Sequence, residues 1–203
     1  MTDPVQSAIT DIRKRLRLFM NGAVSASMRE KGAVYKLNFG VSLPDLKRIA
    51  ANYTPNDDLA EALWQEDVRE MKILAAMLQP ADSFSKEEAR RWASMLTQPD
   101  LIEFVSTFLF RRLPYAGELA AEWVAHSEEL MQLQGFHLFA RICMDGRLLS
   151  RREAEALLRE AEKVSADDDA RRIRQAAFLA LKYYGIPEEN LCASNKYVSL
   201  FTV

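Results

Sequence analysis

The sequence predicts an all-α protein, a right-handed solenoid built from antiparallel helix pairs. Three observations carry that expectation. Apolar residues recur at helical spacing, as in Val68, Met71, Leu74, Ala75 and Leu78, and again in Ile173, Ala176, Ala177, Ala180, Leu181 and Tyr184. The chain has only seven Gly and seven Pro, and most stand where helices should start or stop, including Pro4, Gly32, Gly40, Pro44, Pro55, Pro80, Pro99, Pro114, Gly185 and Pro187. Helix pairs recur about every 40 residues, near the armadillo and HEAT period of roughly 40–47. The expected class is therefore an ARM-repeat-like superhelix of HEAT-like pairs, with residues 1–203 as a single domain.

Taken in order, helices are expected near 4–20, 24–31, 43–53, 57–64, 67–79, 85–96, 99–112, 115–125, 127–144, 150–162 and 167–184. The third has the fullest punctuation. Gly40 supplies a turn, Ser42 an N-cap, and Pro44 and Asp45 a first turn, before Leu46, Ile49 and Ala50 form an apolar face. Ser85 with Glu88, and Ser150 with Glu153, have capping-box spacing. Short connections make consecutive helices antiparallel neighbours. The tail "YVSLFTV" breaks the pattern and reads as either extended or disordered.

Composition limits the function classes. The chain is 49% hydrophobic and 28% charged, as globular proteins are, and no apolar run approaches the roughly 18 residues of a spanning helix. The start "MTDPVQSAIT" lacks the basic and apolar regions of a signal peptide. Cys143 and Cys192 make neither a disulfide framework nor a zinc pattern, so a cytoplasmic protein is expected. A net charge of −2 means that any nucleic-acid site must be a local basic face. There is no Gly-rich phosphate loop, nucleophile elbow or zinc motif, and His126 and His137 lack a partner set; no metal or cofactor is expected. Trp64, Trp92 and Trp123 sit at core spacing.

Two stretches carry a family resemblance: "FGVSLPDLKRIA" (39–50) and "LAEALWQEDVREMKILAAML" (59–78). In order they give Gly40–Val41, Pro44 to Lys47, Leu63–Trp64, Arg69–Glu70 and Ile73 to Ala76. This arrangement resembles the AlkD-like DNA alkylation repair family of HEAT-repeat DNA glycosylases, over about residues 33–110. The resemblance implies a concave basic surface that holds duplex DNA. In active members it implies hydrolysis of the glycosidic bond of alkylated purines. They use a Trp followed four residues later by an Asp, an Arg from a later helix and a second Trp from another. Stacking and cation–π contacts suit a positively charged alkylpurine, and a carboxylate suits the charge developing on the sugar.

Pro99 stands here at the first Trp position and Glu103 at the Asp position, while the Arg position falls near Gly135 and the second Trp near Leu179. Only a carboxylate remains, so the family's activity is expected to be reduced or lost. Glu103 with Asp100 is the candidate catalytic pair. On helix 99–112, Leu101, Ile102, Val105, Leu109 and Arg112 share one side, and Asp100, Glu103, Phe104, Thr107, Phe110 and Arg111 the other. The second side either lines a cleft or packs Phe104 and Phe110 on a neighbouring helix. Candidate DNA-binding cations are Arg111, Arg171, Arg174 and Lys182, with "RKRLR" (13–17) a further basic cluster. Arg171, Gln175, Phe178 and Lys182 form a stripe that either neutralises phosphates or is a solvated face balanced by Asp167–Asp169. Three functions remain open: a duplex-DNA-binding repeat protein with weakened catalysis, a scaffold for a protein partner, and an active glycosylase using Glu103.

Overall fold

The structure, a computed structural model, describes residues 3–165 and 170–185. Among them eleven α-helices follow one another: α1 (Pro4–Leu18), α2 (Gly22–Glu30), α3 (Leu43–Ala50), α4 (Asp57–Trp64), α5 (Arg69–Leu78), α6 (Lys86–Ser94), α7 (Pro99–Phe108), α8 (Ala116–Val124), α9 (Glu129–Met144), α10 (Arg151–Ser165) and α11 (Arg171–Tyr184). Each expected helix is present. The only β-pairing among the described residues is a single parallel bridge between Leu37 and Val68. The tail "YVSLFTV" and Asp167–Asp169 lie outside the described residues.

The caps act as the sequence suggests. Ser42 Oγ accepts the Asp45 N–H at 3.3 Å, and Pro44 sits in the first turn of α3. Ser85 and Glu88 form a reciprocal capping box at α6. Ser150 and Glu153 do the same at α10, with bonds of 2.7 and 3.4 Å. One element departs from expectation. The α-helix α7 stops at Phe108, Leu109 takes φ −123° and ψ −67°, and Phe110–Arg112 continues as a 3-10 turn. Leu109, Phe110 and Leu113 are all fully buried there, and the Phe110 ring meets the edge of Trp123 at 5.2 Å. Pro114 then holds Leu113 extended (ψ 139°), as the residue before a proline prefers.

The chain divides into two compact units, Met1–Phe84 and Ser85–Val203. In the first, α5 packs on α4 and α3, and α4 packs on α1, around Ile12, Leu16, Leu46, Ile49, Leu63, Trp64, Met71 and Leu74. The polar anchor of this unit is Glu70, which is fully buried. Its Oε2 accepts the Phe39 N–H at 3.0 Å, and its Oε1 accepts the Gly40 N–H at 3.0 Å and an Arg69 guanidinium N–H at 3.3 Å. Gly40 is needed twice over. It takes φ +67°, and a Cβ there would run into the Asn21 carbonyl oxygen and stand 2.8 Å from Ser25 N. The Gly40–Val41 and Arg69–Glu70 stretches, far apart in sequence, thus form one joint.

In the second unit, α6, α8 and α10 make one layer and α7, α9 and α11 the other. Trp92, Trp123, Phe136 and Phe139 fill the space between them with no exposure. The first layer is laced by Lys86–Glu118 and by Arg90 with Glu122, bidentate at 2.9 and 2.8 Å. These ions are too exposed to matter much for stability, about 1 kcal/mol at most for each pair. Gly135 fixes how α9 crosses α8. A Cβ there would collide with Val124 N and lie 2.8 Å from the Trp123 carbonyl carbon. No helix among the described residues is long and apolar enough to cross a membrane.

Candidate functional site

With Gly135 pressed on α8, the opposite face of α9 carries Leu133, His137 and Arg141 at four-residue intervals, toward α7 and α11. A cleft of about 330 Å³ opens there, lined by Pro99, Leu133, His137, Arg172, Gln175, Ala176 and Leu179. Pro99 is at the start of α7, where its missing N–H costs nothing. One turn along, Arg141 Nη2 donates to Glu103 Oε1 at 2.7 Å; the Arg141 side chain is 18% exposed and that of Glu103 is 52%.

His137 lies between these features and is largely buried. Burial lowers its pKa; nearby Arg141 lowers it further, and Glu103 opposes both. The folded-state pKa therefore lies below the ordinary 6.5, and the unfolded chain binds more protons as pH falls through that value. The contribution of His137 to stability should decline below about pH 6.5 and level off once the folded imidazole is also protonated. Urea denaturation from pH 7.5 to 5 should show a steeper loss for the native chain than for His137→Gln. Parallel losses would mean that the imidazole is as well solvated folded as unfolded.

The structure distributes the sequence-predicted residues unequally. Neither Glu103 nor Asp100 lines the cleft: Glu103 is one turn beyond Pro99 on α7, paired with Arg141, and Asp100 is half-buried in the first turn of α7. Arg111 is committed elsewhere. Its Nη1 bonds Asp145 at 2.7 Å, and its carbonyl accepts from Arg147 at 2.8 Å, closing the C-terminal end of α9. On α11, Arg171 and Lys182 are exposed, but Arg174 is only 8% exposed and is held in the packing of that helix. The cation that α11 brings to the cleft is Arg172, with Gln175 and Leu179 above it at helical spacing. The Phe104 ring stacks on Phe108 at 6.3 Å, and Phe110 belongs to the core.

Two cleft residues, His137 and Arg172, and the adjacent Arg141 were not among the site residues expected from the sequence. The signal for His137 and Arg141 was the regular step from Leu133 to His137 to Arg141. The resemblance puts a cation near Gly135, and Gly135 itself faces α8. The cleft has apolar walls at Pro99, Leu133 and Leu179 and a rim cation at Arg172, and the carboxylate nearby, Glu103, is already neutralised by the Arg141 guanidinium. The cleft suits an anionic or neutral group better than a cationic one.

A search of curated proteins returned no significant match. Among solved structures, one described as "A new family of proteins related to the HEAT-like repeat DNA glycosylases with affinity for branched DNA structures" superposes with a TM-score of 0.75 at 18% identity, covering 94% of this chain and 80% of that one. The fold is thus an all-α HEAT-like helical repeat. Residues 12–194 match the family described as DNA alkylation repair enzyme. That match spans most of the chain, and the chain belongs to the DNA alkylation repair enzyme family.

Proposed function

We propose that this chain is a DNA-binding member of its family in which base excision is reduced or lost. One observation carries the reading: Pro99 and Leu179, at the positions where the resemblance puts the two Trp residues, both line the same cleft. A pyrrolidine ring and an isobutyl group offer no π-face to a cationic purine. The carboxylate and cation persist as Glu103 and Arg141, but they neutralise each other at 2.7 Å. Exposed Arg171, Arg172 and Lys182 on α11 offer charge to phosphates. The solved relative is described as having affinity for branched DNA, which makes junctions as well as duplexes the ligands to test.

Binding to an unmodified duplex and to a four-way junction, followed by fluorescence anisotropy over a salt series, tests this. Affinity should fall steeply with salt, with a log–log slope of about −0.9 per neutralised phosphate, and should show little sequence preference. No binding to either substrate at low salt would sink the reading. The opposing reading, an active glycosylase working through Glu103, draws support from Arg141, which supplies the cation expected near the carboxylate.

A further inference from the structure

Charge is unevenly spread along the chain. Residues 13–48 hold nine Lys/Arg against two Asp/Glu, within a chain of net charge −2. The same stretch holds five of the ten large apolar side chains that stand exposed among the described residues, so basic and apolar surface coincide. The most prominent are Leu18 at 81% and Met20 at 58%, on the corner where α1 ends and α2 begins. They bury little within this fold.

The corner is rigidly mounted. The Asn21 N–H donates to the Phe39 carbonyl at 2.8 Å, and Ser25 Oγ donates to the Asn38 carbonyl at 2.9 Å. Both acceptors belong to the loop held by the buried Glu70. Asn21 Oδ1 also caps α2 through the Val24 N–H at 3.1 Å. Cations surround the tip. Lys14, Arg17 and Leu18 share one exposed face of α1, and neither Lys14 nor Arg17 makes an ion pair among the described residues. Arg48 lies over the Phe19 ring, 5.4 Å from its centre.

We propose that this corner docks on DNA at a break in the duplex, such as a strand junction, and sets a preference for junctions over continuous duplex. The inference rests on the DNA-binding reading above. Lys14 and Arg17 neutralise flanking phosphates, while Arg48, paired with Asp45 at 3.1 Å, holds the Phe19 ring beside the tip. Leu18 and Met20 cover the face of a base pair that has lost its stacking neighbour. In an open junction, without divalent cations, that face is already exposed; in continuous duplex it must first be unstacked, which apolar wedges achieve only at a cost. The cations therefore supply general affinity, and the apolar tip supplies discrimination.

The test compares the full chain with Leu18→Ser/Met20→Ser and with Lys14→Ala/Arg17→Ala. Each is titrated against an unmodified four-way junction and a continuous duplex of equal length over a salt series without divalent cations. Sedimentation and thermal unfolding are run alongside. The Ser pair should weaken junction binding about ten-fold and duplex binding less than about two-fold. The Ala pair should weaken both and reduce the salt slope by about two. Since all four side chains are exposed, the unfolding midpoint should not move. If the native chain binds DNA but the Ser pair leaves the junction-to-duplex ratio unchanged, this surface is wrong and the DNA reading stands. If the native chain binds neither substrate, both fall. If the Ser pair abolishes self-association while DNA binding persists unchanged, the corner is a protein interface and the proposal is overturned.

Discussion

Release of 3- or 7-alkylpurines from alkylated duplex is expected to be absent, or slower by several orders of magnitude than in a family member with the full residue set. Losing a single stabilising group from a water-excluded site typically costs on the order of 10²–10³ in rate. At the two positions where the resemblance puts aromatic residues, this chain has Pro99 and Leu179, both lining the cleft. The remaining carboxylate is weakened as well. Glu103 is half exposed and its Oε1 already accepts from Arg141 at 2.7 Å, so its charge is partly spent before any sugar cation develops. Its extra methylene relative to Asp adds a rotamer to freeze and moves the oxygens outward, and active-site geometry tolerates about half an ångström of displacement. The decisive comparison is a base-release assay of the native chain against Glu103→Gln. Robust release that the Gln variant abolishes would make Glu103 the catalytic carboxylate and defeat the proposal. Release unaffected by the substitution would place the chemistry elsewhere.

The helices were legible because their punctuation is local. Ser42, Pro44 and Asp45 specify the start of α3 without reference to any other helix, and Ser85 with Glu88 does so for α6. The break after Phe108 was not legible, because the apolar period runs on through Leu109 and Phe110. What ends the helix is Phe110 turning in to meet Trp123, a residue of another helix. The site divides in the same way. Pro99 and Glu103 share one helix at a four-residue step, so their proximity follows from sequence alone. Arg141 reaches Glu103 only because α9 is rotated to press Gly135 against Val124, and no local pattern states that rotation. On α11, Arg171, Arg172 and Arg174 are equally basic in sequence, and only packing against α9 and α10 decides which is buried and which enters the cleft.

Replacing Glu70 by Ala is expected to cost roughly 3–5 kcal/mol of stability, the range for breaking a buried charged pair from one side. The side chain is fully buried; Ala would strand the Phe39 N–H, leave the Gly40 N–H only its 2.7 Å bond to Asn38 Oδ1, and take the Glu70 carboxylate away from Arg69. The Phe39 and Gly40 N–H groups would each lose a 3.0 Å bond, and Arg69, only 8% exposed, would lose its carboxylate. An unpaired buried donor such as the Phe39 N–H costs about 1–3 kcal/mol. Glu70→Gln keeps one carbonyl acceptor and much of the shape, so it should cost clearly less than Ala, though it removes the carboxylate charge beside Arg69. Urea denaturation of the two variants against the native chain measures both effects. The damage should also spread locally, because the Phe39 carbonyl that accepts from Asn21 belongs to the loop that Glu70 holds. Faster amide exchange at Asn21, Phe39 and Gly40 in the Gln variant would trace that path, since opening of the loop exposes all three groups together. A loss below about 1 kcal/mol for Ala, with exchange at these amides unchanged, would show that the loop holds its shape without the carboxylate.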